Sequence, residues 1–285
     1  MTEIQCKGHR EMAPGMHFIQ ECIPIPPAED PEMESLADWY EPGRRLHLPQ
    51  NAYLIDADET LLFDTLTPVS GDVVVDEIDE ILDGTELDYL VVSHPEANHA
   101  GNVGPILEAY PEATLVAPAR STHHDLFHLG EDSLLVEDGD TIGLGEREVE
   151  FLDPVFYDHA MTTYMRETTT NTLFTVDFLG FEHMDSGCLS FADELETDVT
   201  ASRLERFNSF AFVWFRYVDT DQTDAAIEYL IESVDPDVIA PAHGQVIRTN
   251  PAEYLRRMKT AIENFSDMDS SRYHEHGHKL RRTVQ

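Results

Sequence analysis

The sequence contains few cysteines, and their arrangement argues against a disulfide-stabilised fold. Cys6, Cys22 and Cys188 form neither an even-numbered set nor a C-x-x-C motif. This pattern favours a reducing compartment, and we expect a cytoplasmic protein. Long apolar runs are also lacking: no segment approaches the roughly 20 residues that a membrane helix requires. Charged residues interrupt the N-terminal region, so a signal peptide is not expected.

Basic residues are scarce as well, which makes a nucleic-acid-binding function improbable on physical grounds. Lysine occurs only at Lys7, Lys259 and Lys279, and 18 Lys plus Arg stand against 56 Asp plus Glu, giving a net charge of −38. A surface of this sign would repel phosphate. The acidic residues are spread along the whole chain, and we interpret them as an adaptation to high salt, in which screening weakens their mutual repulsion.

The order of patterns predicts a single α/β domain over residues 1–285, with a core at about 45–255 and a C-terminal helix and polar tail at 256–285. A Pro- and Glu-rich connection over 23–45 precedes a strand at 51–56, an acidic turn and a returning strand. The segment DVVVDEIDEILDG predicts a helix that buries Val75, Ile78, Ile81 and Leu82. Strands first pair locally and then alternate with helices, which favours two sheets flanked by helices over one doubly wound sheet.

Later segments continue the same alternation. NVGPILEAYP predicts a short helix, TLVAP the next strand, and SLLVEDGDTIGLGEREVEFLDP a set of antiparallel strands with Gly-containing turns. NTLFTVDFLG and DVIAPAHG each predict a buried strand that meets polar residues where it ends.

The stretch YLVVSHPEANHAGN carries the strongest functional signal. Its apolar strand ends in His94, Glu96, Asn98 and His99. Side chains two residues apart on an extended strand point the same way, so His94 and Glu96 can converge. Asp158-His159, Asp177 and His243 occupy other strand or loop ends. Imidazoles and carboxylates gathered on one rim are the donors that a metal pair requires. The alternative is that His94 and His99 are a helix cap and a core histidine.

These motifs resemble the flavodiiron proteins and oxygen-binding di-iron proteins of the metallo-β-lactamase fold superfamily. SHPEANHAGN is similar to their His-x-Glu-x-Asp-His-x-Gly motif, and NAYLIDADETLLFDT to the opening hairpin of the superfamily. MTTYM with TLFTVDFLGFEH resembles the strand that ends in the bridging aspartate, and APAHGQVIRTNP the segment of the last histidine ligand. The resemblance covers about residues 45–255 and implies a metallo-β-lactamase-like αββα four-layer sandwich.

The resemblance also implies a ligand set. His94 and Glu96 would bind a first iron, His99 and His243 a second, and Asp177 would bridge the two. Asn98 stands where the family has an aspartate ligand, so the second site is expected to bind its ion more weakly or to be empty. The third histidine of the family falls on Phe156, and His159, three residues later, could replace it. Tyr164 either packs in the core or donates a hydrogen bond to a bound diatomic molecule.

The implied function is that of a non-haem iron oxidoreductase that binds or reduces O2 or NO, or that senses oxygen. Glu96 makes the first site harder and more anionic than a histidine would, which favours iron over zinc. The resemblance implies a separate flavodoxin- or rubredoxin-like electron donor, and no FMN is expected in this chain. The acidic composition and the lack of long apolar runs predict no nucleic-acid or membrane partner. The resemblance leaves open a homodimer. Two alternatives stand beside it: a zinc-dependent hydrolase, and a non-catalytic binding module with a degenerate site.

Overall fold

A computed structural model describes residues 7–25, 39–41, 43–184 and 187–266. The predicted connection over 23–45 therefore lies largely outside the described residues, as does the polar tail beyond residue 266. The strands are Lys7–Ala13 (β1), Met16–Ile25 (β2), Leu46–Ile55 (β3), Leu61–Phe63 (β4), Tyr89–Val91 (β5), Thr114–Pro118 (β6), Leu134–Val136 (β7), Thr141–Gly143 (β8), Glu148–Leu152 (β9), Tyr164–Glu167 (β10), Thr172–Val176 (β11), His183–Met184 (β12) and Val238–Pro241 (β13).

Six α-helices lie in the described part of the chain, and short 3-10 and π turns connect them. No described helix has the length and apolar content to cross a bilayer. The 3-10 turns are Pro68–Ser70, Ala192–Glu194 and Val213–Tyr217, and a π turn spans Leu230–Val234. The α-helices are Gly71–Leu82 (α1), Ala97–Ala100 (α2), Val103–Ala109 (α3), Ala201–Ala211 (α4), Thr220–Tyr229 (α5) and Pro251–Ser266 (α6).

Two sheets stack face to face between helices, so the predicted fold class is confirmed. The larger sheet runs in the order β1-β2-β3-β4-β5-β6-β7, with β12 paired to β3, and the smaller runs β13-β11-β10-β9-β8. One hydrophobic cluster fills the space between the sheets and reaches α4, α5 and α6. A second cluster lies between the other face of the larger sheet and helices α1 and α3. The layers are therefore helix, sheet, sheet, helix.

Successive side chains on each strand point to opposite faces of the sheet, and this alternation produces the layers. On β3, Tyr53 and Ile55 face the smaller sheet, whereas Ala52 and Leu54 face the helices α1 and α3. Helix α1 ends as predicted, with Asp83 in the left-handed region at φ 46° and Gly84 following at φ 90°. Its buried face is centred on Val74, Ile78 and Leu82, while Val75 and Ile81 are only partly buried. The predicted face is therefore correct at Ile78 and Leu82, and Val74 is buried in place of Val75 and Ile81.

One predicted pairing was wrong, and one hairpin was not predicted. Strand β7 pairs in parallel with β6 at the edge of the larger sheet, and only β8 and β9 form the predicted antiparallel pair. A loop carries the chain from one sheet to the other after Val136, so the EDGD segment joins layers instead of closing a hairpin. The N-terminal β1–β2 hairpin was also missed, although β2 pairs with β3 over its whole length.

Candidate metal centre

Strand ends from both sheets meet at one edge and bring the predicted side chains together. Strands β4, β5 and β6 are mutually parallel, as are β11 and β13. Parallel strands end on the same side, so the residues that follow β5, β11 and β13 converge. A hydrogen bond from Thr163 N to Ser93 O, 3.0 Å long, joins the two sheets at this edge. His94, His99, Asp177 and His243 are buried there.

Asp177 lies between the histidines and directs its two oxygens to different ones. Its Oδ1 is 2.6 Å from Nε2 of His243 and 3.4 Å from Nε2 of His99. Its Oδ2 is 3.5 Å from Nε2 of His94. One carboxylate thus faces two separate imidazole groups, which is the arrangement that a carboxylate bridging two cations requires. Val176, which precedes it, has φ 54°, a strained value for a β-branched residue.

The amide of Asn98 reaches the same pair of imidazoles as Asp177 Oδ1. Its Nδ2 lies 3.0 Å from Nε2 of His99 and 2.8 Å from Nε2 of His243. Rotation of the amide by a half turn would present its oxygen at this position instead. Asn98 therefore lies beside His99 and His243, the two residues with which the sequence groups it. Its side chain offers these histidines a neutral donor.

Buried hydrogen bonds orient the two histidines of this half of the cluster. Asp64, directly after β4, lies 2.7 Å from Nδ1 of His99 and also accepts hydrogen bonds from the backbone and hydroxyl of Ser93. The backbone carbonyl of Pro49 lies 3.2 Å from Nδ1 of His243. Both contacts favour a proton on Nδ1, which leaves each Nε2 directed at Asp177. Asp64 was not singled out from the sequence, although it ends a predicted strand as the other site residues do.

The electrostatics of the cluster reflect its burial and the proximity of its charges. Burial, followed by the neighbouring His99, lowers the pKa of His94 well below its usual value. Burial alone would lower the pKa of His99, but Asp64 and Asp177 together raise it well above that value. Burial opposes ionisation of Asp177, yet His99 and His243 hold its pKa well below the ordinary range.

Glu96 and Asp158 form a second, acidic half of the cluster with His94. One donor atom of each of these three residues lies within 4.8 Å of the others. Burial, then Asp177 and Glu96, raises the pKa of Asp158 to about 7. Carboxylates this close to one another favour either a proton or a cation. The sequence placed Asp158 among the polar residues of this rim without assigning it to an ion, and its Oδ2 lies 3.9 Å from Nε2 of His94.

His159 lies beside the cluster, and one of its two ring nitrogens is engaged elsewhere. Its ring stacks on His94 with centroids 5.6 Å apart, and its Nδ1 accepts a hydrogen bond from Met161 N at 3.2 Å. Phe156 packs against Phe178 in the core. In the loop from Phe156 to His159, the side chain of Asp158 is the one that reaches His94. A ligand role for His159 stays a prediction.

Tyr164 is buried beneath the 156–159 loop. Its hydroxyl donates a hydrogen bond to the carbonyl oxygen of Phe156 at 2.7 Å. That contact uses its one hydrogen to hold the loop, which supports the packing alternative over contact with a bound diatomic molecule.

The residues present fit a pair of cations. Three buried atoms of the cluster, His94 Nε2, Asp177 Oδ2 and Asp158 Oδ1, have no hydrogen-bond partner among the described residues. Buried polar atoms without partners are costly, and a metal ion would satisfy all three. His94 is held neutral, so the carboxylates of Glu96, Asp158 and Asp177 face no fixed positive charge on that side. Both observations favour bound cations.

Comparison with known sequences identifies the superfamily to which the chain is similar. The model of the metallo-beta-lactamase superfamily matches residues 46–243. A nitric oxide reductase of Moorella thermoacetica is 27% identical over 214 residues, which cover 72% of this chain and 51% of that protein. An anaerobic nitric oxide reductase flavorubredoxin of Salmonella typhi is 25% identical over 213 residues, covering 72% and 43%. The chain thus spans about half the length of the curated relatives it matches, or less.

Solved structures share the fold. Rubredoxin oxygen:oxidoreductase of Desulfovibrio gigas superposes with a TM-score of 0.67 and 22% identity, covering 91% of this chain and 61% of that one. A fragment of putative diflavin flavoprotein A 5 from Nostoc superposes with a TM-score of 0.64 and 17% identity, covering 92% and 99%.

Proposed function

The chain belongs to the metallo-β-lactamase superfamily. We propose that its carboxylate and imidazole cluster holds a pair of iron ions that bind or reduce O2 or NO. The observation that carries this proposal is the placement of Asp177. Its two oxygens face His94 on one side and the pair His99 and His243 on the other. Relatives named as nitric oxide reductases and flavorubredoxin support the choice of ligand.

Two half-sites follow from this geometry. His94, Glu96 and Asp158 would hold the first ion, and Asn98, His99 and His243 the second, with Asp177 between them. The first half is rich in carboxylates, and hard oxygen donors suit iron better than zinc. The second half has a neutral amide where a carboxylate would bind more tightly, so its ion is the more easily lost.

The protein's own groups orient the donors and keep water away. Asp64 holds His99 and the Pro49 carbonyl holds His243, each through Nδ1, so that both Nε2 atoms face the shared carboxylate. When bound and reduced, the iron would supply electrons to a diatomic molecule. Phe207, whose ring centroid lies 5.4 Å from that of His243, gives the cluster an apolar neighbour suited to such a small uncharged ligand.

We further propose that electrons arrive from a separate flavodoxin- or rubredoxin-like protein. The support is the likeness to relatives whose names include flavorubredoxin and rubredoxin oxygen:oxidoreductase. An oxygen sensor that turns over slowly would use the same cluster.

Anaerobic purification, followed by metal analysis and optical spectroscopy, tests the proposal. Reconstitution with excess ferrous iron should give about two irons per chain, and desalting should leave about one. Air or NO should then produce a new absorption band. Asp177→Asn should lose iron and the band, because the amide cannot bridge two cations as a carboxylate does. Asp132→Asn, a matched change at an exposed aspartate, should retain both.

Two outcomes contradict the proposal. Zinc in place of iron, with turnover of an ester substrate, indicates a hydrolase. A chain that folds but binds neither metal after reconstitution indicates a non-catalytic binding module.

A further inference from the structure

A second cluster of metal-binding side chains lies on the larger sheet, away from the strand ends that form the first. Cys22 on β2, His47 on β3 and His183 on β12 come from neighbouring strands, and Cys188 follows in the next turn. The register between these strands explains how the side chains meet. His183 pairs directly with His47, and Cys22 lies opposite Pro49, two residues further along β3. None of these four residues belongs to the cluster around Asp177.

Three of the four residues, Cys22, His183 and Cys188, have donor atoms close enough to share one tetrahedral ion, and His47 reaches this group through Cys188. Sγ of Cys22 is 3.3 Å from Nε2 of His183, and Sγ of Cys188 is 4.0 Å from Nδ1 of His47. Donor atoms of Cys22, His183 and Cys188 lie within 4.8 Å of one another. Sulfur and nitrogen ligands of one tetrahedral zinc ion stand about 3.5 Å apart, from bond lengths of about 2.3 and 2.0–2.1 Å. The observed separations bracket that value.

The tautomer of His183 is set by its backbone contact. Its Nδ1 lies 2.8 Å from the carbonyl oxygen of Met184. A carbonyl only accepts, so Nδ1 carries the proton and Nε2 presents its lone pair towards Cys22. A metal-bound histidine is held in this way when its other ring nitrogen donates to a carbonyl oxygen.

The side chains of this second cluster are buried and closely packed. Cys22, His47 and His183 are each at most 3% exposed, and the rings of His47 and His183 stack with centroids 5.3 Å apart. Gly187 brings the backbone before Cys188 against His183: a Cβ atom there would lie 2.6 Å from Nδ1 of that ring. Any larger residue would push Cys188 away from the histidines.

We infer that Cys22, His47, His183 and Cys188 form a structural site for a zinc-like divalent cation. Two thiolates and two imidazoles are the softest donor set in the described residues, and four protein ligands leave no open position for chemistry. This inference is independent of the proposed iron pair, whose donors are mainly carboxylate and imidazole.

Such an ion would stabilise the edge that carries His243. Its ligand His47 is two residues from Pro49, whose carbonyl oxygen holds the His243 ring. Gln245, two residues after His243, donates to the carbonyl oxygen of Gly187, the neighbour of Cys188. One cation would therefore link β2, β3 and β12 to the loop that follows β13.

Cobalt substitution tests the site, because Co2+ replaces zinc and reports sulfur ligands optically. Metal-free chain titrated anaerobically with Co2+ should develop a thiolate-to-cobalt charge-transfer band and intense tetrahedral bands that saturate at about one equivalent. Chain expressed in zinc-supplemented medium should carry about one zinc that Cys22→Ser and Cys188→Ser both lose. His183→Gln and His47→Gln should weaken both signals.

Controls separate this site from other metal and thiol chemistry. His128→Gln, a matched change at a histidine outside both clusters, should keep the charge-transfer band. Cys6→Ser, at a position outside the described residues, should keep it as well. Three outcomes overturn the inference. They are loss of the band in Cys6→Ser, absence of the band in the wild-type chain, and isolation of a Cys22–Cys188 disulfide without metal. The wild-type and Cys6→Ser titrations decide the matter even where a buried variant fails to fold.

Discussion

Asn98 and Asp177 contact the same two imidazoles and differ by one charge. Each has an atom within 3.0 Å of Nε2 of His243, and each reaches His99 as well. The half of the cluster that contains Asn98 therefore has one carboxylate, whereas the half that contains His94 has three, namely Glu96, Asp158 and the shared Asp177. This asymmetry predicts unequal affinity for two otherwise similar ions.

Asn98→Asp should tighten the weaker half. A carboxylate at this position adds a charged oxygen donor, and we expect at least about a tenfold gain in affinity for the second ferrous ion, equivalent to about 1.4 kcal/mol. Anaerobic competition against a chelator of known affinity measures the change. Asn250→Asp adds the same charge at an exposed position just before α6 and should leave the affinity unchanged. Equal affinity in wild type and Asn98→Asp would show that Asn98 is not a ligand.

Some site residues could be predicted from the sequence and others could not, for a physical reason. His94, Glu96, His99, Asp177 and His243 follow buried strands, and an abrupt change from apolar to polar residues marks such ends. Asp158 was named with the rim residues but not assigned to an ion, because the loop conformation decides which residue of the 156–159 segment faces His94. The Cys22, His47, His183 and Cys188 cluster depends on pairing between strands distant in sequence, which spacing alone does not reveal.

At the scale of elements, strand identity was predicted more successfully than strand pairing. β5, β11 and β13 are short apolar runs buried on both faces, so their composition identifies them. β7 has only Val136 buried while Leu134 and Leu135 are exposed, and nothing local distinguishes an edge strand of one sheet from a hairpin of the other. The β1–β2 hairpin mixes polar and apolar residues, and its pairing with β3 determines its conformation.

The hairpin is attached to the 192–194 turn by a charged contact that should respond to acid. Glu194 accepts hydrogen bonds from Arg10 at 2.5 and 2.9 Å and from Arg248 at 3.0 Å. The Arg10 contact is the largest cause that lowers the pKa of Glu194 to about 2. A carboxyl with a depressed folded pKa stabilises the fold above its unfolded value near 4.5, and that stability is lost as the pH falls towards 2.

Glu194→Gln should therefore lower the free energy of unfolding near neutral pH and reduce its dependence on acid. The side chain is about one-third exposed, so we expect only about 1 kcal/mol. Urea unfolding at about pH 6 and at about pH 3 gives the free energy of unfolding at each pH. The loss of this free energy between the two pH values should be smaller in the variant. Glu232→Gln, at an exposed glutamate of the 230–234 turn, controls for loss of one negative charge. If the free energy of unfolding depends on pH identically in all three proteins, the contact between Glu194 and Arg10 does not stabilise the fold.

For the whole molecule, the net charge of −38 opposes the compact state. Repulsion among exposed carboxylates is long-ranged at low salt, where the Debye length is about 10 Å at 0.1 M, and short-ranged at about 3 Å in 1 M salt. Helix α1 shows the effect locally, since Asp76 and Glu80 are exposed one turn apart. Like charges at this spacing destabilise a helix by about 0.2–0.5 kcal/mol.

The thermal unfolding midpoint should consequently rise by several degrees between about 0.1 M and about 1 M KCl. Potassium chloride is the appropriate salt because sulfate and phosphate stabilise proteins by exclusion whatever their charge. The double variant Asp76→Asn/Glu80→Gln should unfold at a higher temperature than wild type at low salt and should gain less from added KCl. Circular dichroism at a fixed metal content measures both midpoints. A wild-type midpoint that is independent of KCl would mean that carboxylate repulsion does not limit stability, and the interpretation of the acidic surface as an adaptation to salt would then fail.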